Sequence, residues 1–154
     1  MNQPKSLGRK TVDEIDPTKL RELTFTNEDW EDFNRGIELF NAGKFWHAHE
    51  AWEQVWRRHH EDSRLFIQGL IQMAAAFHLL FDKKRYKGAL SNLNKALSRL
   101  QLFGQTFFDL PVSNYIKSIE KAKDEIQRVQ NGEAETIDPS VVPIIALLKT
   151  HRTS

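Results

Sequence analysis

The sequence contains no cysteine, which rules out disulfides, thiolate metal ligands and a cysteine nucleophile. A thiol-free chain suits a reducing compartment, and a cytoplasmic location is the expectation. The first ten residues, MNQPKSLGRK, carry charge with no apolar stretch behind it, so they do not read as a secretory signal. There is also no uninterrupted hydrophobic run of membrane length. The most apolar window, Leu65 to Phe81, is broken by Gln68, Gln72 and His78 and falls short of the roughly 20 apolar residues that a span requires. It reads as a buried helix, and no membrane partner is expected. Neither charge sign dominates: 22 basic residues face 21 acidic ones, for a net charge of +1. No global field is left to gather nucleic acid or anionic lipid. Period-two alternation bounded by turn dipeptides is missing as well, which excludes an evident strand pairing.

What the chain does have is aromatic bulk and helical period. Ten Phe and four Trp within 154 residues supply one core for one domain. Residues 1–25, broken by Pro4 and Pro17 and without a sustained stripe, read as a flexible N-terminal arm, and 26–154 as a single helical domain. Thr26 and Asn27 are good helix starts. The acids Glu28, Asp29, Glu31 and Asp32 favour the N-terminal end, and Trp30, Phe33, Ile37 and Phe40 form the stripe of a helix reaching about Asn41. Gly43 ends it, and Phe45, Trp52 and Trp56 begin a second. Arg57, Arg58, His59 and His60 suit its C-terminus, while Glu61, Asp62 and Ser63 suit the next start.

The third helix, about Arg64 to Phe81, is apolar on nearly every side and should lie at the centre, with Gly69 admitting a close neighbour. A fourth buries Tyr86, Ala89, Leu90, Leu93, Leu97 and Leu100 and stops near Gly104. A fifth follows Pro111 and ends at Asn131-Gly132. The segment Pro139 to Ser154 is interrupted by Pro143 and should pack irregularly over the rest. The fold class is therefore all-α: a compact five-helix bundle of antiparallel helical hairpins with a short irregular C-terminal segment. An offset of 41 residues matches Phe45, Ala48, Trp52 and Trp56 to Tyr86, Ala89, Leu93 and Leu97. The pattern resembles tetratricopeptide-type hairpins, although two units are too few for a solenoid.

The second helix carries the best candidate for chemistry. His49, Glu53 and Trp56 fall at i, i+4 and i+7 and share one face, which brings an imidazole and a carboxylate within reach of each other or of a shared ion. His47 and Glu50 form a second pair, offset around the helix. Gln68 and Gln72 stand one turn apart on the third helix and would add donors and acceptors if they face the second. The candidate ligand-binding set is thus His49, Glu50, Glu53, Trp56, Gln68 and Gln72, with His49 and Glu53 as metal ligands should a divalent metal bind. A hydrogen-bonded structural pair ranks ahead of metal, because two protein ligands are too few for tight zinc binding. Buried amides tying helices together likewise rank ahead of ligand contact for the two glutamines.

These residues resemble a family of bacterial and archaeal helical proteins catalogued as a domain of unknown function, whose hallmark is His-x-x-x-Glu-x-x-Trp/Tyr. His49, Glu53 and Trp56 fit it. So do the phrases Phe40-Asn41-x-Gly43-x-Phe45 and Phe66-Ile67-Gln68-Gly69-Leu70-Ile71-Gln72, so that the resemblance spans roughly Trp30 to Leu100. It implies a compact α-helical fold in which metal binding by the His and Glu has been suggested.

Lys83, Lys84, Arg85 and Lys87, continued by Lys95 and Arg99, make a local basic run that could meet phosphates. No reading element accompanies it, and a solvated helix face is the leading interpretation, which argues against nucleic acid as partner. Gly-rich phosphate loops and nucleophile elbows are missing, so no catalytic residue is assigned and an enzyme is not the first reading. Three functions remain in play: a bundle that binds a ligand, metal or protein partner through the His/Glu/Gln site; a metal-dependent hydrolase-like enzyme; and a helical-hairpin adaptor for peptide or nucleic acid. The sequence leaves homo-oligomerisation open.

Overall fold

Thr26 turns the extended chain into the first helix through a reciprocal cap. Its hydroxyl accepts the Asp29 amide at 3.1 Å, and the Asp29 carboxylate accepts the Thr26 amide at 3.1 Å. In the computed structural model, which describes residues 12–148, this cap opens α1, Asn27–Asn41. Gly43 then takes φ +79°, a conformation open to glycine at no steric cost, and the chain reverses into α2, Phe45–Arg58. The third helix, α3, covers Arg64–Phe77 and is followed by α4, Tyr86–Leu100, and α5, Val112–Gln130. Short 3-10 turns occur at Gln101–Phe103 and Pro139–Val141. Among the described residues β pairing is limited to one isolated bridge, Phe107 with Leu110. The fold is all-α and compact.

Each helix packs chiefly on its neighbour in sequence, and α3 lies between α2 and α4. Phe66, Ile67, Leu70, Met73, Ala74 and Phe77 of α3 are fully buried, as expected for a central helix. At roughly 1.5–3 kcal/mol for each large side chain removed from water, this row is a main source of cohesion. Gly69 permits the approach of α4: a Cβ there would sit 2.8 Å from the Leu100 side chain. By length and composition Arg64–Asp82 could cross a membrane, but 61% of its most apolar window is buried within the bundle, so protein packing already uses that surface. The two matched sets also correspond structurally. Phe45 and Tyr86 each open a helix, and Ala48 and Trp52 on α2 are buried like Ala89 and Leu93 on α4.

Two expectations need correction. The third helix does not run as an α-helix to Phe81; it widens into a π turn over His78–Asp82. There the Lys83 amide reaches the His78 carbonyl at 3.3 Å, five residues back, while His78 Nδ1 lies 2.8 Å from the Asp82 carboxylate and ties off the turn. The loose arm expected over residues 1–25 is also revised. Residues 1–11 lie outside the described residues, but 12–25 are docked: Ile15 and Leu23 are buried, Phe25 meets Phe108 edge-on at 4.5 Å, and the Arg21 amide donates to the Ser63 hydroxyl at 3.1 Å. Sparse apolar residues in irregular backbone leave no period to read, although each one fills a hole. The C-terminal segment packs over the bundle from Pro139 to Leu148, with Val141 and Ile145 buried and the Ile145 amide and carbonyl both bonded to the Asn41 side chain at 2.9 Å, while 149–154 lie outside the described residues.

Candidate functional site

Helical spacing puts Trp46, His49, Glu53 and Trp56 in one stripe of α2, and the antiparallel packing of α3 sets a second stripe beside it. Contacts at both ends fix the register. The Arg64 guanidinium lies 3.9 Å over the Trp56 ring, and His78 meets Trp46 with ring centroids 5.2 Å apart. Gln68 and Gln72, both half-buried, fall on α3 between the residues that make these two contacts. Gly69 brings α4 to the far side of α3, where a Cβ would lie 3.5 Å from the Cβ of Arg99. The result is a polar seam along the outer side of α2 and α3, bordered by Arg99.

His49 is the centre of the seam. Its Nε2 lies 3.6 Å from a Glu53 oxygen, longer than a normal hydrogen bond, while Arg57 reaches the other Glu53 oxygen at 3.5 Å. Trp46 stacks on the imidazole at 4.5 Å, nearly parallel. Burial depresses the His49 pKa below its ordinary 6.5, and His78 pushes the same way. The carboxylates of Glu53 and Glu50 oppose this without reversing it. The lowered pKa favours the neutral imidazole, in which one ring nitrogen donates and the other accepts. Among the described residues His49 Nδ1, Trp56 Nε1, Gln72 Oε1 and Arg99 Nε are buried without a hydrogen-bond partner. All four belong to this seam or its α4 border.

A neutral buried histidine leaves a mark on stability. The unfolded chain takes up the His49 proton below about pH 6.5 while the folded chain resists it, so stability falls as pH drops through that value. Urea unfolding at about pH 7 and about pH 5 should show this decline, and His49→Gln should have a shallower slope than the parent chain. Equal slopes would mean that the imidazole is not held neutral.

His49, Glu53 and Trp56 share one stripe of α2, and Gln68 and Gln72 lie on α3, the helix packed beside it. Glu50 does not join them. Its side chain is 56% exposed and pairs with His47 at 3.4 Å on the solvent side, because a step of one residue rotates it about 100° away from His49. As for a metal, His49 and Glu53 supply two donors, and the described residues contain no group of three His, Asp or Glu side chains set to hold an ion.

A second cluster had escaped the sequence reading. Arg58, at the end of α2, reaches back to α1 with Nη1 2.7 Å from Asp29 and Nη2 on Asp32, while His59 Nε2 lies 2.9 Å from the other Asp29 oxygen. Asp29, Asp32 and His59 are all buried. The signal for it in the sequence is the charge complementarity between acids 28–32 and bases 57–60, which also suits two helix ends.

Together these features define an all-α protein of consecutive helical hairpins with a polar, half-open seam on its second and third helices. Residues 33–92, from α1 into α4, match the model of a family described as a domain of unknown function (DUF309), and the match spans the whole seam on α2 and α3. No curated protein and no solved structure matches the chain.

Proposed function

We propose that this protein is a binding module whose ligand or partner is met by the α2–α3 seam. The observation behind this reading is the concentration there of buried, unpaired polar atoms: His49 Nδ1, the acceptor Gln72 Oε1 and the donor Trp56 Nε1. An unsatisfied buried group costs about 1–3 kcal/mol, so several on one face are a standing cost that a bound partner would offset. Complementary donors and acceptors on neighbouring helix turns suit a neutral polar group such as an amide. The metal-dependent reading has the His49–Glu53 proximity in its favour but needs a third donor from outside the described residues. The hydrolase-like reading rests on that same metal. A cytoplasmic setting rests on the thiol-free composition alone.

The decisive variant is Gln72→Met, which keeps the volume and removes the unpaired amide. If the amide serves a ligand, the melting temperature rises, by the equivalent of about 1 kcal/mol. Amide-bearing fragments that shift the Trp56 indole signal in nuclear magnetic resonance spectra should also lose that effect in the variant. If Gln72 is instead a structural tie, the variant melts lower, and the binding reading fails. Chelator and added zinc, in the same melting assay, decide the metal reading: a drop restored by the ion would support it.

A further inference from the structure

Beyond the seam, at the end where α2 begins, lies a cleft of about 660 Å³ whose lining includes Lys44, Trp46, His47, His78, Asp82 and Lys83. This volume falls within the range of small-molecule sites. From its chemistry we infer that the cleft binds a mononucleotide-sized anion with a flat ring. Trp46 provides the stacking surface. It is 44% exposed, one of few large apolar side chains left open to solvent, and its ring is held by the near-parallel stack on His49 and by His78. A ring fixed in this way loses little freedom on receiving a planar partner, and aromatic stacking of a base contributes about five- to a hundredfold in affinity.

Charge selects an anion. Lys44 and Lys83 are both exposed, and among the described residues no ion pair engages either ammonium. The acid in the lining, Asp82, is already met by His78 Nδ1 at 2.8 Å, and the other histidine, His47, is held by Glu50. Two exposed lysines thus share the cleft with one carboxylate that is already engaged by His78. The first turn of α2 also opens on this cleft with no side-chain cap on its amides, which adds a weaker attraction of the same sign. Lys83 starts the basic run of the sequence, and here that run acquires a role other than solvation.

The test uses the full-length, isotope-labelled chain titrated separately with adenosine monophosphate, adenosine and inorganic phosphate, following the Trp46 indole signal assigned with Trp46→Phe. The nucleotide should shift that signal at lower concentration than either fragment. Lys44→Ala/Lys83→Ala should weaken the nucleotide about tenfold or more, whereas Lys117→Ala/Lys121→Ala on α5, with the same change in net charge, should leave its affinity unaltered. Unchanged melting temperatures would certify that both double variants are folded. Phosphate binding as tightly as the nucleotide would remove the ring from the inference, and adenosine doing so would remove the anion. An unmoved Trp46 signal, or equal weakening by the two double variants, would overturn it. None of these outcomes bears on Gln72, so the seam stands or falls separately.

Discussion

Replacing Arg58 with methionine should lower the stability of the protein by about 3 kcal/mol at neutral pH, although the residue lies near the surface and its side chain is 29% exposed. Its two partners set this magnitude. The Asp29 side chain is 2% exposed and that of Asp32 11%, so both carboxylates have given up most of their water. Methionine would retain the packing of the aliphatic stem and strand the charges. Arg57, one residue earlier, supplies the contrast: it pairs with Glu53 at 3.5 Å with both groups substantially in water, and Arg57→Met should cost well under about 1 kcal/mol.

The pH dependence of the effect follows from the same cluster. Burial raises the pKa of Asp29, but hydrogen bonds from Arg58, the Thr26 amide and His59 outweigh it and hold the carboxyl below its ordinary 3.8. At Asp32 the bonds from Arg58 and Arg35 overcome burial in the same way. A carboxyl depressed in the folded state adds stability above its unfolded pKa and loses it as pH falls below that value. The gap between the parent chain and Arg58→Met should therefore be full at pH 7 and shrink below about pH 4. Urea unfolding at both pH values measures it. A gap at pH 7 no larger than that of Arg57→Met would show that the carboxylates are satisfied without Arg58.

The helices were legible because their signals are local. Thr26, Gly43, Gly104 and Asn131-Gly132 punctuate the chain where the observed elements change, and the apolar stripes between them have the period of a helix. The seam was half legible for the same reason: the i, i+4 spacing of His49 with Glu53 and of Gln68 with Gln72 is a property of single helices. What the sequence could not show was which neighbour each stripe would meet. Trp46, stacked on His49 within α2, also meets His78 from the turn that follows α3, a contact that no spacing within one helix encodes. The Arg58–Asp29–Asp32 cluster joins residues 26 to 29 positions apart, and no period in the chain encodes that distance. The docking of residues 12–25 was hidden because Ile15, Leu23 and Phe25 join the core from irregular backbone that has no period. In every case the missing information is tertiary, and it lies where the polar groups are most concentrated.

The crossing of α1 and α2 yields the second large expected effect, from the smallest side-chain change possible. A Cβ on Gly36 would stand 2.2 Å from Nε1 of Trp52 and 2.4 Å from its Cδ1, far inside van der Waals contact. The indole has nowhere to go. Trp52 is fully buried, packs between Phe33 and Phe40, and donates its N–H to the Phe33 carbonyl at 3.1 Å. Alanine would bring a gain of about 1 kcal/mol in helix propensity over glycine. Against that stand about 1–3 kcal/mol for overpacking a core and a further 1–3 kcal/mol if the displaced indole loses its acceptor. The second set of terms wins, and Gly36→Ala should destabilise the fold by about 3 kcal/mol. Trp52→Phe removes Nε1, the atom in closest conflict, and leaves a smaller ring. The double variant Gly36→Ala/Trp52→Phe should therefore be more stable than the sum of its single changes predicts, a non-additivity that urea unfolding of the four chains reads directly. Strict additivity, or a Gly36→Ala chain as stable as the parent, would mean that the two helices can separate at little cost, and that Gly36 is not what allows Trp52 to pack against α1.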